Sequence, residues 1–258
     1  MPGTDLSLLI EAALESGRIA TGFAGQTVDR WEKSGGAGPV TEADIAVNRM
    51  LAKELQAARP GYGWLSEETE DDSTRLVRDK VFIIDPIDGT RSFIEGSSTW
   101  AHALAVAEQG VVTAAVIYLP LRDKMYTAEV GQGAQLNGQP IHVSERAELT
   151  GASLLAAKPS YAPENWIGAV PDVARAYRPS LAYRLSLVAE GRFDAMLTLR
   201  RTWEWDIAAG DLILREAGAA ISDRAAQPLL FNNPTPLLNG VVAANPVLHG
   251  NISQALRT

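Results

Sequence analysis

Four consecutive apolar residues, Val81-Phe82-Ile83-Ile84, run directly into Asp85-Pro86-Ile87-Asp88-Gly89-Thr90. A run this short with no polar face reads as a strand buried on both sides, one that stops at Asp85. The fold must therefore cover both faces of a sheet and still accommodate carboxylates where the strand ends. Pro86 fixes its own φ and removes a donor, and Gly89 tolerates a turn that bulkier residues resist, so Asp85 and Asp88 are brought close in a rigid turn. Crowded carboxylates raise each other's pKa unless a cation shares the site. Oxygen donors without His or Cys favour Mg²⁺ or Mn²⁺ over Zn²⁺. An ordinary strand-to-helix turn with a capping Asp fits the same residues, since Asp, Pro and Gly are common turn formers.

The 258 residues, 46% of them hydrophobic, suffice for one large domain or two intimately packed halves with a sizeable core. Leu6, Leu9, Ile10, Ala13 and Leu14 recur at helical spacing behind Thr4 and Asp5, which predicts a first helix through about Ala20. Residues 31–39 break it, and Ser34-Gly35-Gly36-Ala37-Gly38-Pro39 is flexible by composition. Thr41 then caps a second helix carrying Ile45, Met50, Leu51 and Leu55, with Asp44 completing a capping box. Strand-like runs over 102–107 and 111–119, joined at Gln109-Gly110 and followed by 125–130 and an Asn137-Gly138 turn, predict an antiparallel meander. Further on, helices are expected over 183–190 and 207–217, the latter stopped by Gly218, and strands over 193–199 and 241–244. The reading is α+β, with halves 1–150 and 151–258 and the Pro-rich stretch 159–179 as the candidate seam.

A net charge of −8 argues against nucleic-acid polymers and anionic membranes as partners. No run of about 18 apolar residues occurs, and Asp5, Glu11 and Glu15 interrupt the opening stretch, so a cytoplasmic protein is expected. The absence of cysteine removes thiolate metal sites and cysteine nucleophiles. His102, His142 and His249 stand in no Arg-His-Gly, Asp85 and Asp88 are spaced too widely for Asp-x-Asp, and no Gly-x-x-x-x-Gly-Lys loop exists. The histidines read as structural or surface residues.

Two further acidic elements stand out. Ser66-Glu67-Glu68-Thr69-Glu70-Asp71-Asp72 reads mostly as a solvated run, but Trp64-Leu65 can anchor Glu67. Asp206, in Trp203-Glu204-Trp205-Asp206-Ile207, heads a helix where N-capping would also explain it. Together with Val40-Thr41-Glu42-Ala43-Asp44 and Asp85-Pro86-Ile87-Asp88-Gly89-Thr90, the segments Leu65-Ser66-Glu67-Glu68 and Trp205-Asp206-Ile207-Ala208-Ala209-Gly210 resemble, in order, the signatures of the inositol monophosphatase superfamily.

That resemblance implies a layered αβαβα sandwich of the inositol monophosphatase and fructose-1,6-bisphosphatase type, and a lithium-sensitive, Mg²⁺-dependent phosphomonoesterase that forms no covalent phosphoenzyme. By the same resemblance Glu67, Asp85, Asp88, Asp206 and the carbonyl of Ile87 would hold two or three Mg²⁺ ions, with Mn²⁺ able to substitute. Asp44 and Thr90, with Glu67, would serve the attacking water, and a homodimer is expected. The N–H groups of Gly89 and Thr90, beside Asp88 and Asp206, could hold a substrate phosphate. For Asp44 and Thr90, capping alone remains open on local sequence.

By the same resemblance the substrate would be a small phosphorylated metabolite, inositol monophosphate or adenosine 3′,5′-bisphosphate. Glu204, two before Asp206, and Arg184 resemble the 3′(2′),5′-bisphosphate nucleotidase branch, where a cation could meet a second phosphate, although a helical arginine can equally point to water. Against that branch, Arg178-Pro179-Ser180-Leu181-Ala182 departs from its Gly-Ser stretch. Arg91, after Thr90, resembles histidinol-phosphate phosphatases and could reach a substrate anion or a nearby carboxylate. Lys33 reads as a flexible surface lysine. A non-catalytic metal- or ligand-binding protein on the same scaffold is the alternative of a different class.

Overall fold

The computed structural model describes residues 3–23, 29–32 and 38–257. Helices α1 (Asp5–Phe23) and α2 (Glu42–Ala58) flank a small antiparallel pair, β1 (Arg30–Glu32) with β2 (Pro39–Thr41). The capping box forms as expected, with the Thr41 hydroxyl accepting from the Asp44 N–H and the Asp44 carboxylate accepting from the Thr41 N–H. Residues 33–37, which include Lys33, lie outside the described residues.

The main sheet runs in chain order through β3 (Gly63–Ser66), β4 (Lys80–Asp88), β5 (Ala101–Glu108), β6 (Val111–Leu119), β7 (Lys124–Glu129), β8 (Ala134–Leu136) and β9 (Gln139–Pro140). Only β3 and β4 pair in parallel; the rest is the antiparallel meander the turn signals predicted. A five-residue helix, α3 (Thr90–Ile94), follows β4. The C-terminal region holds β10 (Ser153–Leu155), β11 (Ala174–Ala176), α4 (Leu181–Ala189), β12 (Ala195–Thr198), β13 (Thr202–Trp203), α5 (Glu204–Glu216), β14 (Ala220–Ser222), β15 (Leu237–Leu238), β16 (Val241–Ala244) and α6 (Pro246–Ala255). Five of these strands form a second sheet in the order β11-β10-β12-β16-β14, and β13 pairs with β15.

Three apolar layers stack these parts. Leu9 and Ala13 of α1 and Val47, Leu51 and Leu55 of α2 close over Phe82, Ile84, Leu104 and Val106. The opposite face of the same strands, with Val81, Ile83, Ala103 and Ala105, meets Leu185 of α4 and Ile207, Leu212 and Ile213 of α5; these helices also contact Met196, Val241 and Ala243 of the second sheet. Leu197, Val242 and Ala244 then pack on Leu248 and Ile252 of α6. The order is αβαβα, and alternate residues of β4 enter different cores, which is why its sequence carries no polar face. Small residues on β5 admit the middle helices, and α4 meets α5 so closely at Gly210 that a methyl there would run into Leu185.

One boundary differs from the sequence reading. β4 does not stop at Asp85 but continues to Asp88, with its pairing to β5 breaking register between the two aspartates. The chain is still extended there, and the turn comes at Gly89, whose φ of 97° lies in the left-handed region and whose missing Cβ clears the Thr99 carbonyl. Helix α5 also begins earlier than expected, at Glu204, so Asp206 sits in its first turn rather than capping it. Among the described residues, no helix is long and apolar enough to cross a membrane.

Candidate active site

The register break puts two residues, Pro86 and Ile87, opposite the single residue His102, because Asp85 pairs with Ala103 and Asp88 with Ala101. This bulge is what turns both aspartates towards the middle layer. From α5 comes Asp206, and one carboxylate oxygen from each of Asp85, Asp88 and Asp206 lies within 4.8 Å of the others. Glu67 follows β3 and is held by its N–H, which donates to the Ile84 carbonyl at 3.2 Å. Glu67, Asp85, Ile87, Asp88, Gly89, Thr90 and Asp206 all line one cavity of about 480 Å³. All four carboxylates singled out from sequence line this cavity, and three of them form one close cluster.

Asp88 is the most firmly placed of them. One of its oxygens accepts from the Ser180 hydroxyl and from the Ala182 N–H, each at 2.6 Å. Ser180 is at the same time the cap of α4. Both contacts come from Arg178-Pro179-Ser180-Leu181-Ala182, the stretch that departs from the Gly-Ser pattern.

Asp44 lies behind the cavity wall rather than on it. Its Oδ2 accepts from the Thr41 N–H at 2.8 Å and from the Thr41 hydroxyl, while its Oδ1 sits 3.2 Å from the Thr90 hydroxyl. Thr90 is also 3.2 Å from the Ile87 carbonyl, so a helix cap and a link to the cavity share one carboxylate. The Glu67 loop is braced by Asn48, which had no sequence signal: Ser66 donates to its side-chain oxygen, and its amide donates to Thr69 and to the Glu68 carbonyl.

Burial dominates the electrostatics. It pushes the Asp85 and Asp206 carboxyls well above the usual range, reinforced by the neighbouring carboxylates. Asp88 is pushed up to about 6, chiefly by burial and against its bonds to Ser180 and Ala182; Asp44 reaches about 6 for the same leading reason, opposed by Thr41. No Lys or Arg forms an ion pair with Asp85, Asp88 or Asp206 among the described residues, and Asp85 Oδ1 is buried with no hydrogen-bond partner. An orphaned oxygen in an all-oxygen cluster of negative charge fits a hard divalent cation.

The same cavity also carries cationic side chains. Arg184 does not point to water: it is 5% exposed, it lines the cavity, and its guanidinium lies 5.3 Å from the Tyr177 ring. Its Nε approaches the Ser180 carbonyl at 3.4 Å, and among the described residues no carboxylate lies in ion-pair range. Arg200, Arg91 and Tyr177 line the same cavity, and the first and last of these had no sequence signal. Arg91 is exposed at the rim.

Glu204 is elsewhere. It is fully buried, accepts from the N–H groups of Asn232 and Asn233 and from the Asn233 side chain, and does not line the cavity. None of the three histidines lines it either. His102 is buried with Nδ1 against the Pro86 carbonyl, and burial pushes it down to about 4, so it is neutral.

A layered α/β scaffold with an all-oxygen acidic centre between its sheets defines a class of metal-dependent proteins, and comparison narrows it. The model of the inositol monophosphatase family matches residues 4–258. The inositol-1-monophosphatase of Mesorhizobium japonicum is 33% identical over 98% of this chain and 96% of its own, and the histidinol-phosphatase of Mycobacterium tuberculosis is 36% identical over 83% of each. Among solved structures, the extragenic suppressor protein suhB from Bartonella henselae superposes with a TM-score of 0.81 at 29% identity, covering 96% of both chains. The IMPase of Thermotoga maritima gives 0.81 at 28% identity, covering 96% of this chain and 95% of its own. The chain belongs to the inositol monophosphatase family.

Proposed function

We propose that this protein is a divalent-cation-dependent phosphomonoesterase whose substrate is a small phosphorylated metabolite carrying a second anionic group, with adenosine 3′,5′-bisphosphate favoured over inositol monophosphate. The observation that carries the metal reading is the trio of carboxylate oxygens from Asp85, Asp88 and Asp206 within 4.8 Å of one another. Together with Glu67 and the Ile87 carbonyl they would hold Mg²⁺, two or three ions by family resemblance, with Mn²⁺ as a substitute. A divalent cation there supplies Lewis acidity, which favours ionised water and offsets negative charge developing on the leaving oxygen.

The chain's own residues do the rest. Thr90, tied to Asp44 through its hydroxyl, orients the attacking water. Asp44, its pKa pushed up to about 6, can take a proton near neutral pH through that hydroxyl. Gly89 and Thr90 offer backbone N–H groups to phosphate oxygens. Asp88 is held still by Ser180 and Ala182.

Arg184 supports the choice of substrate. A buried guanidinium without an ion pair is costly to leave alone, and an anionic group on the leaving portion would pair with it beside Arg200. Histidinol phosphate is the second reading, favoured by the 36% identical Mycobacterium tuberculosis relative and by Arg91 after Thr90. Its ammonium would meet the cationic side chains of the cavity.

A kinetic panel tests this: kcat/KM for adenosine 3′,5′-bisphosphate, inositol 1-phosphate, histidinol phosphate and fructose 1,6-bisphosphate, with and without Mg²⁺. The bisphosphates should lead, and Arg184→Met should raise their KM about tenfold to a hundredfold, the worth of one charged hydrogen bond, while leaving inositol 1-phosphate almost unchanged. A lead for histidinol phosphate selects the second reading. No turnover of any of them selects a non-catalytic binding protein. Lithium should inhibit, and light scattering should find a homodimer.

A further inference from the structure

We propose that His102 is a positioning residue of the metal centre, its imidazole supplying the hydrogen bond that the β4–β5 ladder cannot make at the bulge and so fixing the Asp85–Asp88 spacing. The inference rests on the reading that these carboxylates hold a divalent cation.

In a regular antiparallel ladder each residue of a hydrogen-bonded pair satisfies its partner's carbonyl. Between the pairs Asp85 with Ala103 and Asp88 with Ala101, β4 has two residues where β5 has only His102. Pro86 has no N–H to give, and its carbonyl lies 2.5 Å from His102 Nδ1. A carbonyl can only accept, so Nδ1 carries the hydrogen and Nε2 is a bare lone pair. Nε2 is indeed buried with no partner. Among the described residues the bond to Pro86 is thus the imidazole's single polar contact, and the ring leaves its other nitrogen unpaired to make it.

The ring cannot swing away from this duty. Trp100 stands against it edge-on at 5.4 Å, Phe93 of α3 meets Trp100 at 5.1 Å, and the Tyr118 ring lies 6.3 Å from the imidazole. An aliphatic residue at 102 would fill the space but leave the Pro86 carbonyl buried without a donor. The bulge could then relieve that loss by shifting register, which would move the two aspartates flanking it.

A histidine that merely completes the core would cost stability when replaced and nothing in metal affinity. The test therefore reads metal directly: Mn²⁺ alone is titrated into the wild type, His102→Leu and His102→Asn and followed by electron paramagnetic resonance, with melting temperature in parallel. The Asn amide can stand where Nδ1–H stands. We expect His102→Leu to bind Mn²⁺ about tenfold to a hundredfold more weakly, the usual effect of losing a group that holds a ligand in place. His102→Asn should regain most of that affinity. In turnover, the Leu variant should need more Mg²⁺ for half-maximal rate while kcat at saturating Mg²⁺ changes far less. Wild-type affinity in a destabilised Leu variant, or equal losses in Leu and Asn, overturns the proposal and leaves the metal reading standing. A wild type that binds no Mn²⁺ sinks both. Should the Leu variant not fold, nitrogen-15 spectra of the wild type decide: His102 must be protonated at Nδ1, and an Nε2–H tautomer overturns the proposal.

Discussion

Two clusters of buried charge sit a few residues apart on α5, and they are built on opposite principles. Around Glu204 every charge is answered: its carboxylate takes three hydrogen bonds from Asn232 and Asn233, and Asn232 and Asn233 in turn accept from Arg75, which also pairs bidentately with Asp71. Around Asp206, three carboxylates crowd together without an ion pair, and one oxygen of Asp85 has no donor at all. Glu204 and Asp85 are both hidden from water, whereas Asp206 is partly buried and lines the cavity. What separates them is compensation: charge that is buried and satisfied holds the fold, while charge that is buried and left unsatisfied awaits something the chain does not itself provide.

Neutralising one member of each cluster should expose that contrast. Asp88→Asn keeps the shape of the side chain, and we expect it to lower Mg²⁺-dependent phosphate release about a thousandfold, the rate equivalent of the several kcal/mol a bound cation contributes. In the metal-free protein the same change should raise the melting temperature, because it removes a repelling charge. Arg75→Met should do the reverse. It strips the satisfied network of its cation at a cost of about 3 kcal/mol in urea unfolding, with kcat per folded molecule nearly unchanged. Glu204→Gln is smaller still, about 1–2 kcal/mol, since it weakens rather than removes the bonds to Asn232 and Asn233. A fall in metal-free stability for Asp88→Asn would erase the distinction.

Acidity sharpens it further. Asp44 and Asp88 titrate near 6 in the folded protein against 3.8 unfolded. Between pH 7 and 5 the native state therefore takes up protons that the unfolded chain does not, so stability rises as pH falls through that window and is lost again on returning above 6. The metal-free melting temperature should climb by a few degrees from pH 7 to pH 5. A flat or declining profile would mean that the carboxylates are not strained.

How much of this is legible in the sequence depends on how far apart the partners lie. The apolar run before Asp85, the capping box of Thr41 and Asp44, and the turns of the meander are written within a few residues, and the fold follows them. The continuation of β4 to Asp88 was not, because Asp85-Pro86 looks like a strand end unless His102 is known to lie opposite. Ser180 reaches Asp88 across 92 residues and Asn232 reaches Arg75 across 157, distances over which no local pattern speaks. Within residues 66–72 Asp71 is exposed, as the solvated reading expected, but the run itself says nothing of its pairing with Arg75, which is buried beneath it. Arg184 was singled out only by resemblance, since local sequence let it point equally to water; α4 turns it inward.

The account stands on one arrangement, a divalent ion seated among Asp85, Asp88 and Asp206. Anomalous diffraction from crystals soaked in Mn²⁺ addresses it directly. The predicted result is a strong peak within coordination distance of oxygens from all three aspartates, vanishing or weakening in Asp88→Asn. A peak bound only elsewhere, or none at Mn²⁺ concentrations that support turnover, would contradict it.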